Sequence, residues 1–177
     1  MGTLELKDIA IIVSGAITAI STLCAVLITS RFNLKQTKLN LETQEHQKNI
    51  ERTISKIEDT YLLFEKWETN FSIMYLTYFR CYKNKLDYKS ALELTKTSDI
   101  LLPGEYQRLQ MLMNIYFPNL VVEYRLVDEA RRHIVPFFSD PNESKLTAKA
   151  FAIAQEHFEA VTKEFKRKIS DLAETFR

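Results

Sequence analysis

The sequence predicts an all-α protein, and three observations support this prediction. Residues 9–30, IAIIVSGAITAISTLCAVLITS, form an uncharged and mostly apolar run. No glycine or proline, the residues that most often break helices, occurs between Ala16 and Leu102. In the rest of the chain, apolar residues recur at spacings of three and four, and no useful stretch alternates with the period of two typical of strands. These patterns predict an apolar helix, a helical stalk and a helical bundle.

The uncharged run is long enough to cross a membrane. As a helix, its 22 residues would rise about 33 Å, slightly more than the thickness of a bilayer core. A cleaved signal peptide would have a basic start and a small-residue cleavage site, whereas Glu5 and Asp8 precede the run and no A-x-A pattern follows it. We therefore predict a short tail at residues 1–8 and one transmembrane helix at residues 9–30.

The charges after the run predict its orientation. Arg31, Lys35 and Lys38 all precede the first acidic residue, Glu42, and an excess of Lys and Arg beside a span marks the cytoplasmic side. The sequence contains only two cysteines, which form no disulfide framework and are consistent with a reducing compartment. We expect a single-pass protein whose C-terminal domain is cytoplasmic.

One side of the predicted span is polar. Projected at about 100° per residue, the helix gathers hydroxyl groups on one side and bulky aliphatic residues on the other. Three interpretations are open: the hydroxyls bond to their own backbone, the face packs against other spans, or a ring of spans directs it into a pore. One helix cannot enclose a channel, so a pore requires a homo-oligomer. The candidate pore-lining residues are Ser14, Thr18, Ser21 and Thr29, and the candidate packing residues are Gly15 and Ala19.

The segment after the span divides into a polar and an amphipathic part. Residues 31–49 are mostly polar and predict a helical stalk that acts as a spacer. From Ile50, large apolar residues recur every seven positions, which is typical of a helix buried along one stripe, and Glu68 interrupts the neighbouring series. We therefore predict a cytoplasmic helical bundle over residues 50–177. The seven-residue series is Ile50, Ile57, Phe64, Phe71 and Tyr78.

The rest of the bundle is predicted from periodicity and breakers. A short helix is expected over Tyr88–Lys96, and Pro103-Gly104 fits the start of another that runs to about Tyr116. A helix over Asn119–Val135 should stop at Pro136, and the following FFSDPNES reads as a loop. The last helix has an apolar stripe at steps of three and four: Phe151, Ala154, Phe158, Val161, Phe165, Ile169, Leu172 and Phe176.

The sequence contains few groups for catalysis. The three histidines, His46, His133 and His157, lie in different segments without metal-ligand spacing, so no metal is expected. There is no glycine-rich phosphate loop and no G-x-S-x-G, so we expect no cofactor. A formal net charge of +1 disfavours a nucleic-acid surface, and no DNA partner is expected. The basic clusters at residues 131–133 and 163–168 are interpreted as solvated helix faces.

In size and architecture, the chain resembles the membrane-anchored accessory proteins of type VI-B CRISPR systems. These proteins resemble HEPN domains, helical bundles whose ribonucleases carry R-x4-6-H on one helix, the arginine holding the phosphate and the histidine moving a proton. His157 is the best match for that histidine, but Ala152 stands where an arginine could be. Arg125 lies one residue too far from His133.

The resemblance implies a homo-oligomeric, pore-forming protein of the bacterial inner membrane that enhances RNA-targeting antiphage defence by perturbing the membrane. Its partners would be further copies of itself, the lipid bilayer, and an RNA-guided effector nuclease or the RNA products of that nuclease. One alternative is a membrane-tethered HEPN-type ribonuclease that uses His157 with Arg131, Arg132 or a cation from another subunit. The other is a passive membrane-anchored interaction module.

Overall fold

The computed structural model describes residues 6–96, 100 and 102–176. The regular secondary structure of these residues is entirely helical, without a strand, which confirms the all-α prediction. The chain divides into an N-terminal unit, Met1–Glu51, and a C-terminal unit, Arg52–Arg177. The helices are α1 (Leu6–Tyr82), α2 (Tyr88–Lys96), α3 (Glu105–Tyr116), α4 (Pro118–Ile134), the 3-10 helix Val135–Phe138, and α5 (Ala148–Glu174).

The N-terminal unit consists of the first part of α1. Residues 6–8 of the predicted tail already belong to this helix, and residues 1–5 lie outside the described residues. One helix of the described chain is long and apolar enough to cross a membrane, with a mean hydropathy of 1.8 over its best 18-residue window. No part of that window is buried, and every residue from Val13 to Asn49 is exposed. The apolar run therefore has no cover from the described part of its own chain.

The C-terminal unit has a core rich in aromatic rings. In α1, Ile57, Phe64, Phe71 and Tyr78 are buried, as the seven-residue series predicts, while Ile50 at its start is half-buried. The ring centroids of α1 meet those of α5 in reverse order along the chain, which makes the two helices antiparallel. The pairs are Phe64–Phe165 at 4.6 Å, Phe71–Phe158 at 5.0 Å and Phe79–Phe151 at 5.2 Å.

Two details differ from the sequence prediction. The segment FFSDPNES was predicted as a loop, but its first two residues belong to the 3-10 helix Val135–Phe138, and Phe137 is buried with its ring stacked 4.5 Å from Phe151. Pro136 lacks the N–H that an α-helix needs, so the chain tightens into a 3-10 turn that points Phe137 inward. Phe176 was predicted to extend the stripe of α5, but it follows the end of that helix and is 39% exposed.

Candidate functional site

The polar face of the N-terminal unit is bonded in part to its own backbone. The Thr18 hydroxyl donates to the Ser14 carbonyl oxygen at 2.9 Å, and the Thr22 hydroxyl donates to the Thr18 carbonyl oxygen at 2.8 Å. The backbone bonding named in the first of the three interpretations is therefore present at Thr18 and Thr22. The lone pairs of the Thr18 hydroxyl oxygen are not used by its bond and remain on an exposed surface, as do the side chains of Ser21 and Thr29.

The two candidate packing residues lie on open surface. Gly15 and Ala19 are exposed, and a Cβ atom added at Gly15 would meet no atom within 4 Å. The described chain therefore gives no internal reason for a small residue at this position.

The polar face extends beyond the residues that sequence analysis selected. A shallow groove runs along it and includes Thr22 and Asn33, which sequence analysis did not assign to the face. Both follow the same three- and four-residue spacing as Thr18 and Thr29, which is the signal that identifies them. The groove is lined by Thr22, Ala25, Val26, Thr29, Ser30, Asn33, Leu34 and Thr37.

The weak catalytic candidate, His157, lies exposed on α5. Among the described residues, no hydrogen bond or ion pair involves it. Arg131 and Arg132, the cations considered with it, both contact the Asp128 carboxylate at 2.8 Å. Burial alone would raise the pKa of Asp128, but the two guanidinium groups hold it below its usual value. A phosphate would have to compete with this carboxylate for both arginines.

Two of the four cations in the second basic cluster, at residues 163–168, form ion pairs. Lys166 contacts Glu68 at 2.7 Å, so the acidic residue that interrupts the apolar series of α1 has a partner on α5. The Arg167 guanidinium binds Glu164 and also reaches Asp171 at 3.2 Å. These pairs reduce the positive potential of the cluster and support its interpretation as a solvated face.

The described residues of the C-terminal unit form open grooves but no metal-binding cluster. An open groove between α1 and α5 is lined mainly by Ile57, Tyr61, Ile169 and Ala173. Burial raises the pKa of the Cys81 thiol, which disfavours the thiolate that a nucleophilic cysteine needs. Within the described ranges, no group of three or more His, Cys, Asp or Glu residues is placed to hold a metal ion.

The uncovered, partly polar helix of the N-terminal unit is therefore the leading candidate for a functional surface among the described residues. Its apolar residues and its uncharged polar face are both exposed, and both are typical of a surface that another molecule covers. Comparisons with protein-family models, with curated proteins and with solved structures give no match for this chain.

Proposed function

We propose that this protein is a single-span membrane protein that works as a homo-oligomer and carries the C-terminal unit on the cytoplasmic side. The observation that carries the proposal is the uncovered apolar window, with a mean hydropathy of 1.8 and none of it buried. A core helix of a soluble protein would bury such a window. Lipid is the natural cover for it, since the run is as long as a bilayer core is thick.

The oligomer is supported by the other side of the same helix. At membrane depth, hydroxyl-bearing faces lie against protein or water rather than lipid, and small residues allow helices to approach closely. Gly15 and Ala19 are available for such contact because no described part of the chain covers them. The cytoplasmic orientation is supported by Arg31, Lys35 and Lys38.

A pore is the second candidate function, and the uncharged hydroxyl face favours it. In a ring of parallel spans, Ser14, Thr18, Ser21 and Thr29 would line the axis and give water a polar path. In this proposal the ring permeabilises the bacterial inner membrane during antiphage defence, beside an RNA-guided nuclease, as the resemblance to the type VI-B accessory proteins implies. The protein acts through the membrane and not as a ribonuclease.

Membrane insertion and assembly can be tested together on the full chain. After expression in bacteria, the protein should remain in the membrane pellet through alkaline carbonate extraction, and the detergent-solubilised particle should have a protein mass that is a multiple of 20.7 kDa. A control variant with Ile20→Lys and Leu23→Lys should move to the supernatant, because each lysine at the centre of a span costs about 2.5–3.5 kcal/mol. A particle with the mass of one chain would refute the oligomer.

Conduction is tested separately by dye efflux from vesicles that contain the purified protein. Thr18→Leu should reduce the efflux per assembled particle, because it adds bulk and removes a hydroxyl at a point repeated around the ring. Ile20→Leu, on the bulky side of the span, is the matched control and should leave efflux unchanged. If the parent oligomer retains the dye, the pore is wrong and the anchor interpretation replaces it.

The ribonuclease alternative predicts a different result. We expect the purified protein to leave RNA intact, because Arg131 and Arg132 are held by Asp128 and no arginine stands five residues before His157. RNA cleavage that is lost in His157→Ala but retained in His133→Ala would show that the enzyme alternative is correct.

A further inference from the structure

The polar face of the N-terminal unit repeats every eleven residues and continues from the predicted span into the predicted stalk. Starting at residue 14, successive positions of this face lie four, four and three residues apart, and this pattern occurs three times. The ten positions carry only hydroxyl, amide or alanine side chains, and all ten are exposed. We call these positions the polar stripe. They are Ser14, Thr18, Thr22, Ala25, Thr29, Asn33, Gln36, Asn40, Gln44 and Gln47.

Charged residues avoid the polar stripe. Five charged residues occur between positions 31 and 47, and none of them is on the stripe. At an eleven-residue period, which corresponds to about 98° per residue, all five fall in the half of the helix opposite the stripe. A stalk that was merely solvated would have no reason to confine its charges to one side. These residues are Arg31, Lys35, Lys38, Glu42 and Glu45.

The eleven-residue period restricts what can cover the stripe. It corresponds to about 3.67 residues per turn, slightly more than the 3.6 of a straight α-helix, so a partner that follows the stripe winds around the helix with a right-handed twist. The stripe spans residues 14–47, or about 50 Å along the helix. A partner must keep the same period over that whole length.

A second copy of this chain meets these requirements. Copies inserted in one membrane with the same topology are parallel, and in register they place each amide of the stripe beside the same amide. Asn and Gln each carry donors and an acceptor, so identical side chains can bond to one another, and buried Asn residues are known to set register between helices. Within residues 31–47 the charges lie on the opposite half of the helix, so no like charges meet across that part of the stripe.

We propose that the N-terminal units assemble as parallel, in-register copies with a right-handed twist, in which the polar stripe is the shared interface from Ser14 in the span to Gln47 in the stalk. This inference rests on the proposed membrane oligomer and adds to it an interface outside the bilayer. It also explains why α1 changes its repeat near residue 50. The eleven-residue stripe faces other copies, and the seven-residue apolar series faces the core of the same chain.

Cysteine scanning of the stalk in native membranes tests the period and the phase. In a Cys24→Ser background, in which the remaining Cys81 is buried, single cysteines are placed at each position from 33 to 47 and treated with a short bis-maleimide. The yield of crosslinked chains should peak at positions 33, 36, 40, 44 and 47 and be lowest at positions 35, 38 and 42. A maximum at position 43 in place of 44, which a seven-residue repeat would give, or maxima at the charged positions, would overturn the proposal.

A charge placed on the stripe gives a second test, with a stringent control. Asn40→Lys should shift the detergent-solubilised particle to lower mass, because like charges would then meet at the interface. Glu42→Lys lies on the opposite half of the helix and should leave the mass unchanged, although it alters the charge of each chain by two units. Equal shifts in both variants would contradict the assigned interface.

The results distinguish a failure of the polar stripe as the interface from a failure of the membrane oligomer. A parent particle with the mass of one chain means that the membrane oligomer itself is wrong. A parent oligomer whose crosslinks fall out of phase with the polar stripe leaves the oligomer intact and refutes only the stripe as its interface.

Discussion

The large apolar residues of α1 are mostly buried or half-buried in the C-terminal unit, whereas the described ones in the N-terminal unit are mostly exposed. In the C-terminal unit, the large residues of α1 are covered by α5, and Phe64, Phe71 and Tyr78 are buried. In the N-terminal unit, Ile17, Leu23 and their neighbours stay about 60% exposed. The C-terminal unit therefore draws its stability from contacts within one chain, whereas the described part of the chain gives the N-terminal unit no such cover, which in our proposal comes from lipid and other copies.

Truncating one buried and one exposed phenylalanine gives the sharpest contrast between the units. Phe151→Ala should cost about 3–5 kcal/mol, because its fully buried ring contacts Phe137, Phe79 and Tyr82. Phe32→Ala, at a ring that is 66% exposed, should change the free energy of unfolding by less than about 0.5 kcal/mol. The measurement is urea unfolding of the full chain in detergent, followed by the fluorescence of the buried Trp67. Equal losses would mean that Phe32 is packed in solution.

Substitutions at the Glu68–Lys166 ion pair show how much this pair contributes to the stability of the C-terminal unit. Glu68→Leu should cost about 2–3 kcal/mol, because it leaves the half-buried Lys166 without its carboxylate. Adding Lys166→Met should recover that loss to within about 1 kcal/mol, since a packed apolar pair replaces an ion pair at little cost. Unfolding of both variants by urea gives the two values. A double variant less stable than the single one would show that the pair stabilises the core in its own right.

A leucine at the open glycine tests the other unit. Gly15→Leu should weaken association of the spans by about 1–2 kcal/mol, because a branched side chain would separate helices that meet at small residues. Nothing within 4 Å in the chain itself would oppose the change. Sedimentation of the particle in detergent should show smaller species, and the urea midpoint of the C-terminal unit should not move. Ala16→Leu, on the bulky side of the span, is the control and should sediment as the parent does.

The smallest expected effect concerns the acid side of the stability profile of the C-terminal unit. The pKa of Asp128 is lowered in the folded state, so its ionised form stabilises the protein at pH values above its ordinary value of 3.8, and this contribution is lost as the pH falls through the folded value. Asp128→Asn should therefore cost about 1 kcal/mol at pH 7 and almost nothing in strong acid. Urea unfolding at several pH values measures the difference. A difference that stays constant with pH would show that charge is not its cause.

The helices follow the sequence prediction most closely where the repeat is regular. The seven-residue series placed Ile57, Phe64, Phe71 and Tyr78 on one buried side, because a fixed repeat determines which residues share a helix face. The prediction of a loop at Phe137 and Phe138 was wrong, because a short apolar segment beside Pro136 has no period of its own. Their burial depends on Phe151 and Phe71, which are distant in the chain.

The candidate sites show the same limit. Sequence analysis identified Glu68 as an interruption and Lys166 as part of a basic cluster, but it did not pair two residues on different helices. It also considered Arg131 and Arg132 as partners of His157 and did not foresee that Asp128, one turn away, binds both. The hydroxyl groups of the predicted span share one helix face by their spacing, and the assignment of that face to a pore or an interface stays a prediction.

By itself, the sequence determined the helical class, the apolar run and the faces of α1, because each follows from spacing along one chain. Only the tertiary structure decided which of those faces is covered: the apolar series of the C-terminal unit lies against α5, and the described part of the chain leaves residues 13–49 uncovered. The physical reason is that periodicity specifies the direction of a side chain relative to its own helix, whereas burial depends on what the rest of the chain brings to that side.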